Sequence, residues 1–143
     1  MSEQQDNREA LQGWVREQFQ KAQKHLASKG IIPARVLEKE SRYLPPLVSV
    51  WKIETADKPA KTVWVISGDL PSDHVEAGAA DSAREVLRYF GLRWQMQAEQ
   101  IIQQGPNADK TQKEFAGMLI SRAEGLAQMY DNQALWANEP TAS

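Results

Sequence analysis

The chain of 143 residues contains no cysteine. This absence excludes disulfide bonds, thiolate metal ligands and a cysteine nucleophile. Histidine is almost as scarce, because His25 and His74 are the only two in the chain. A zinc site built from three histidines therefore cannot form within one chain. No apolar run approaches the roughly 18–20 residues that a membrane-spanning helix needs.

Neither sign of charge dominates the composition. The 17 Lys and Arg residues are offset by 19 Asp and Glu residues, which gives a net charge of -2. The cations are scattered, so we expect no nucleic-acid partner. The polar residues 1–9 lack the apolar core of a signal peptide, and we expect a cytoplasmic protein without a membrane partner. No cofactor is predicted.

The length fits one domain, since domains commonly span about 100–150 residues. We place this single domain at residues 8–137. The polar ends, residues 1–7 and 138–143, are predicted to be disordered tails.

The first half of the chain predicts one helix and three strands. Residues 8–29 carry apolar side chains at helical spacing, and the helix ends at Gly30. The next runs, residues 35–43, 47–54 and 62–67, have strand character. Their short connections favour an antiparallel meander.

The second half predicts two helices. One runs from Ser82 to about Gln104 and the other from Thr111 to about Trp136, and each opens on a capping-box sequence. Gly105–Pro106 separates them. The order is α-β-β-β-α-α, an α+β fold with a C-terminal antiparallel helix hairpin.

Two stretches of sequence are distinctive, VISGDLPSDH at 65–74 and LRYFGLRWQ at 87–95. Together with segments spread over roughly residues 12–136, they resemble a small bacterial family known only as a domain of unknown function. The resemblance implies a single bacterial intracellular domain. It assigns no activity and no catalytic residues.

The loop at 67–74 is the first candidate site, because loops held at strand ends often carry function. Asp69, Asp73 and His74 could act in acid–base chemistry or bind a divalent ion. Alternatively, the two aspartates accept backbone N–H groups in a tight turn. The turn interpretation is favoured, so no metal site is predicted.

Two further polar residues lie on or beside apolar stripes. His25 falls next to Trp14 on the shoulder of the first helix, where the pair could form the floor of a ligand pocket. A boundary position is the commoner interpretation of such a histidine. Arg122 falls within the apolar stripe of the last helix. We expect it to be buried and paired with a carboxylate, first from loop 67–74 and second from Glu40, or to bind an anion.

Two apolar faces exceed what a single core requires. Trp64 points to the sheet face opposite Val63, so both faces are apolar. In the penultimate helix, Tyr89, Leu92 and Met96 lie nearly opposite the main stripe. Each surplus face predicts either cover by another helix or contact with a second subunit.

The sequence favours a non-enzymatic interaction module that self-associates as a homodimer, with a further protein partner left open. The surplus apolar faces and the scarcity of catalytic side chains support this hypothesis. The first alternative is a small metal-assisted hydrolase that uses the 67–74 loop. The second is a small-ligand sensor.

Overall fold

The computed structural model describes residues 2–137 of the chain. The chain divides into two compact units, Met1–Ala79 and Ala80–Ser143. The first unit contains a helix and an antiparallel sheet, and the second contains a helix hairpin. The α+β class is therefore confirmed. The predicted tail at 138–143 lies outside the described residues.

Helix α1 spans Glu3–Ser28 and begins earlier than the predicted residue 8. Ser2 caps it, because the Ser2 side chain accepts a hydrogen bond from the backbone N–H of Gln5. Residues 3–7, which the sequence placed in a tail, form the first turns of α1. The C-terminal end agrees with the prediction, since Gly30 has a φ of 73° and the helix stops before it.

The sheet has five strands rather than the predicted three. They are β1 (Pro33–Val36), β2 (Arg42–Leu44), β3 (Val48–Thr55), β4 (Thr62–Gly68) and β5 (Asp73–Glu76). β3 pairs with β1, β2 and β4, and β5 pairs with β4, all antiparallel.

Two of the differences from the predicted strands are explained by how the chain turns and pairs. The run 35–43 is two strands, because a turn interrupts it and both halves pair with β3. The end of the predicted loop 67–74 belongs to a further strand, β5, because Asp73–Glu76 pairs with β4.

α1 packs on one face of this sheet. Its side chains Ala22 and Leu26 are completely buried against Trp51, Ile53 and Val65. Burying a leucine of this kind stabilises the folded state by about 1.5–3 kcal/mol. This contact provides the main apolar core of the first unit.

Buried hydroxyl groups fix the position of α1 on that face. Ser67 Oγ donates to the main-chain carbonyl of Gln18 in α1 at 2.9 Å and lies 2.8 Å from Ser49 Oγ. The indole N–H of Trp51 donates to both hydroxyls, at 3.0 and 3.1 Å. Because a buried polar group without a partner is costly, sliding α1 along the sheet would break this network.

The second unit is an antiparallel pair of helices, α2 (Ala83–Gln103) and α3 (Lys110–Asp131). Arg84 near the start of α2 donates to the carbonyl of Tyr130 at the end of α3, at 3.0 Å. Ser82 caps α2 as predicted. The predicted cap of α3 is wrong, because Asp109 with Gln112 forms the capping box instead of Thr111 with Glu114.

No helix among the described residues is both long and apolar enough to cross a membrane.

Gly68, at the end of β4, generates a prediction about stability. Its φ is 148°, and a Cβ atom there would overlap the carbonyl oxygen of Leu47. Gly68→Ala should therefore lower the free energy of unfolding by at least about 1–3 kcal/mol in a urea titration. Gly117→Ala is the matched control, because that helical position is open. It should raise stability by about 0.5–1 kcal/mol. Equal effects of the two substitutions would contradict this account of the turn.

A candidate metal centre between the first helix and the last strand

Two residues that are far apart in sequence meet at this site. His25 lies in the last turn of α1 and His74 is the second residue of β5, a separation of 49 residues. His74 pairs across the sheet with Val65, and cross-strand partners point to the same face. Val65 belongs to the core under α1, so the His74 ring is directed toward the helix that carries His25.

The donor atoms converge closely. His25 Nε2 lies 2.8 Å from His74 Nδ1, and the ring centroids are 5.0 Å apart with an interplanar angle of 57°. One carboxylate oxygen of Asp73 completes a set of three ligand atoms that all lie within 4.8 Å of one another. Tetrahedral ligand atoms bound to zinc at about 2.0–2.1 Å are about 3.3–3.4 Å apart, so a shared ion would require the two ring nitrogens to separate by about 0.5 Å.

The local backbone orients each group. Asp73 Oδ1 accepts a hydrogen bond from the backbone N–H of His74 at 2.8 Å, which holds the carboxylate beside the imidazole. His25 follows Gln18 by seven residues, so both lie on the face of α1 that meets the sheet. The bond from Ser67 to Gln18 therefore also sets the position of His25.

The electrostatics favour neutral imidazole at His25. Burial is the main cause that lowers the pKa of His25 below its ordinary value of 6.5, and a charge on His74 or Lys29 would lower it further. The carboxylate of Asp73 acts in the opposite direction and is the smaller influence compared with burial. Metal ligation requires the neutral ring, so the site favours the protonation state that binds a metal ion.

Of the three groups, His74 alone lines a neighbouring groove in the first unit. His74 lines it with residues of β5 and of the β3–β4 connection, including Glu76 and Lys61. The groove has a volume of about 690 Å³. Small-molecule sites commonly occupy about 300–1,000 Å³, so a small ligand could reach the imidazole of His74.

The structure gathers only part of the predicted loop site. Asp73 and His74 lie in the cluster, and His25 replaces Asp69 as the third group. Asp69 is exposed, and its backbone N–H donates to the carbonyl of Leu47 at 2.8 Å. The helical pattern placed His25 beside Trp14, and no local signal in the sequence connects His25 with His74.

Trp64 lies in the core and not on an open binding face. Its side chain is 1% exposed, and its indole N–H donates to the carbonyl of Ala77 at 3.3 Å. Lys52 Nζ lies 5.1 Å from the ring centroid. Trp64 is therefore buried and is not part of an exposed apolar face.

Arg122 is half-buried, and it therefore lies at the edge of the apolar stripe of α3 rather than at its centre. Its Nη1 lies 3.4 Å from Ser121 Oγ. The reason is helical phase, because the buried stripe of α3 is centred elsewhere. That stripe consists of Ala116, Leu119, Ala123 and Leu126. Arg122 lies about 60° from Leu119, on the flank of the stripe.

The predicted apolar strip on α2 is largely exposed. Leu92 is 51% exposed and Met96 is 65% exposed. Tyr89 is half-buried, and its ring packs edge-on against Phe90 at 5.1 Å. Leu92 and Met96 therefore remain a surface without cover among the described residues.

The lowered pKa of His25 makes stability depend on pH. Above 6.5 both the folded and the unfolded chain keep His25 neutral. Below that value the unfolded chain binds a proton that the folded chain resists, so the free energy of unfolding falls as the pH drops from 6.5 toward the lowered pKa. His25→Gln should flatten this part of the profile in urea titrations with a chelator between about pH 8 and about pH 5. An unchanged slope in the variant would contradict the assignment.

The comparisons with known proteins define the family without defining an activity. No curated protein and no solved structure matched the chain. The model of the family described as "Domain of unknown function (DUF4826)" matches residues 8–136, which include His25, Asp73 and His74. Since this match covers nearly the whole chain, the chain belongs to the family Domain of unknown function (DUF4826).

Proposed function

We propose that the chain binds one divalent transition-metal ion through His25, Asp73 and His74. The observation that carries the proposal is the distance of 2.8 Å between His25 Nε2 and His74 Nδ1. A direct hydrogen bond between the two rings uses the N–H of one ring and the nitrogen lone pair of the other. A bound metal ion would instead use one nitrogen lone pair from each ring. The nearby carboxylate of Asp73 supplies the negative charge that a dication requires.

The donor set indicates which ions fit. Two imidazole nitrogens and one carboxylate oxygen suit Zn²⁺, Fe²⁺, Co²⁺ or Ni²⁺. Mg²⁺ and Ca²⁺ prefer sites built from oxygen donors alone. Zinc is the practical first probe, because it binds such ligands tightly and has no redox chemistry.

Three protein ligands leave at least one coordination position for water. Structural zinc sites use four protein ligands, whereas catalytic sites use three and keep an open position. A metal-bound water ionises far more easily than bulk water, with a pKa of about 7 instead of about 15.7. The groove beside His74 gives a substrate access to such a water.

This site favours metal-assisted hydrolysis over the non-enzymatic module that the sequence favoured. His25 in α1 adds a second imidazole nitrogen, which the 67–74 loop alone does not provide. Glu76 and Lys61 in the groove provide charged groups for a polar substrate. A role of the chain as a small-ligand sensor stays a prediction from the sequence.

Calorimetric titration of the metal-free full chain with Zn²⁺ tests the proposal. One ion should bind per chain, and binding should raise the melting temperature by mass action. His25→Ala, Asp73→Asn and His74→Ala should each weaken binding by at least about 10–100-fold, since changes to supporting groups alone have effects of that size. Circular dichroism of each variant verifies that it folds.

Asp69→Asn is the matched control. It removes a carboxylate from the same loop but from outside the cluster, so zinc affinity should stay within a factor of a few of wild type. The absence of stoichiometric binding by the folded wild-type chain would overturn the proposal. Equal weakening by Asp69→Asn and Asp73→Asn would also overturn the assigned ligand set.

A further inference from the structure

An apolar pair stands out on the outer surface of α2. Leu92 and Met96 are separated by one helical turn, so their side chains are neighbours, and both are more than half exposed. They lie outside the buried stripe of the helix. That stripe consists of Ala83, Val86, Leu87, Phe90, Gly91, Trp94 and Ala98. Exposed apolar side chains are ordinary when they are single, whereas an adjacent pair with a receptive groove beside it indicates a contact surface.

Such a groove lies next to Leu92. It runs between α2 and α3 and has a volume of about 110 Å³. Its lining includes the small residues Gly91, Ala123 and Ala127 and also the charged residues Arg88 and Asp131. The surface therefore combines a protruding side chain, Met96, with a shallow depression a few residues away.

We propose that this surface binds a second copy of the chain, with the two α2 helices antiparallel about a two-fold axis near Trp94. In an antiparallel pair, residues whose numbers add to a constant lie opposite each other. An axis at residue 94 places Leu92 opposite Met96 of the second copy. The contact between Leu92 and Met96 then forms twice, once on each side of the axis, as a two-fold interface requires.

The charges on the same surface select this occupant and this direction. Arg88 and Glu99 lie on one flank of the face formed by Leu92 and Met96, at about 40° and 20° from Leu92. In an antiparallel pair, the same flank of each helix meets its copy. Measured along the helix axis, Arg88 then lies within about 1.5 Å of Glu99 of the second copy. In a parallel two-fold pair opposite flanks would meet, so Arg88 would face the flank that lacks Glu99.

Both charged groups are accessible for this contact. The Arg88 side chain is 60% exposed and has only a long ion pair, 3.8 Å, with Glu85 on its own helix. Glu99 is exposed and accepts a hydrogen bond from Gln103 at 3.3 Å. The surface is complementary to itself in charge, which favours a second copy over an unrelated protein.

Sedimentation velocity of the full chain, from low micromolar to several hundred micromolar, tests the inference. One helix pair buries less than a standard interface, so we expect a weak dimer that forms in the micromolar range. Leu92→Glu should raise the dissociation constant at least tenfold, because it buries a charge in the contact. Ile102→Glu is the matched control, since Ile102 is 52% exposed on the same helix but about 80° away. It should leave the dissociation constant unchanged.

A charge exchange tests the antiparallel arrangement. Arg88→Glu alone should weaken the dimer, and Arg88→Glu combined with Glu99→Arg should restore it. A monomeric mass at every concentration would overturn the inference, as would equal effects of Leu92→Glu and Ile102→Glu. Failure of the double variant to recover would overturn the antiparallel geometry. His25→Ala should dimerise normally, so this result is independent of metal binding.

Discussion

The hydrogen bond from Ser67 Oγ to the main-chain carbonyl of Gln18 is the constraint on which the first unit depends. It joins the middle of α1 to the end of β4, in an interior where a hydroxyl or carbonyl without a partner would be costly. The hydroxyl of Ser49 and the indole of Trp51 complete the network. Apolar packing of Ala22 and Leu26 brings the helix to the sheet, and this network sets the helix at one position along it. His25 then lies beside His74.

The pairing of two histidines in a partly buried place has a consequence for their protons. Two charged imidazolium rings cannot share a 2.8 Å contact, so at least one ring must offer a lone pair. Burial and the proximity of His74 lower the pKa of His25, so this ring favours the neutral form that binds a metal ion. The carboxylate of Asp73 would balance part of the charge of a dication held beside it. Proton binding and metal binding should compete at this site.

Periodicity and stop signals predicted the helices and the central strands, because these are local properties of the chain. Gly30, Ser82 and Gly105–Pro106 all mark helix ends in the structure. β5 was not predicted, since its four residues carry little strand pattern and gain their structure from pairing with β4. The site depended on that missing strand. Asp73 and His74 were recognised as candidates from their chemistry, but only the strand register and the position of α1 bring His25 to them. Arg122 lies on the flank of its stripe and not at the centre, because a small shift in helical phase is enough to move a residue there.

The central claim is that His25, Asp73 and His74 hold one metal ion together, and the coordination of bound zinc tests it most directly. X-ray absorption spectroscopy of the zinc-loaded full chain measures the ligand types and their distances. The account predicts two imidazole nitrogens at about 2.0–2.1 Å, with the remaining ligands oxygen at about 2.0–2.2 Å. The second imidazole should disappear from the spectrum of His25→Ala. A zinc shell with fewer than two imidazoles in the wild-type chain would contradict the account.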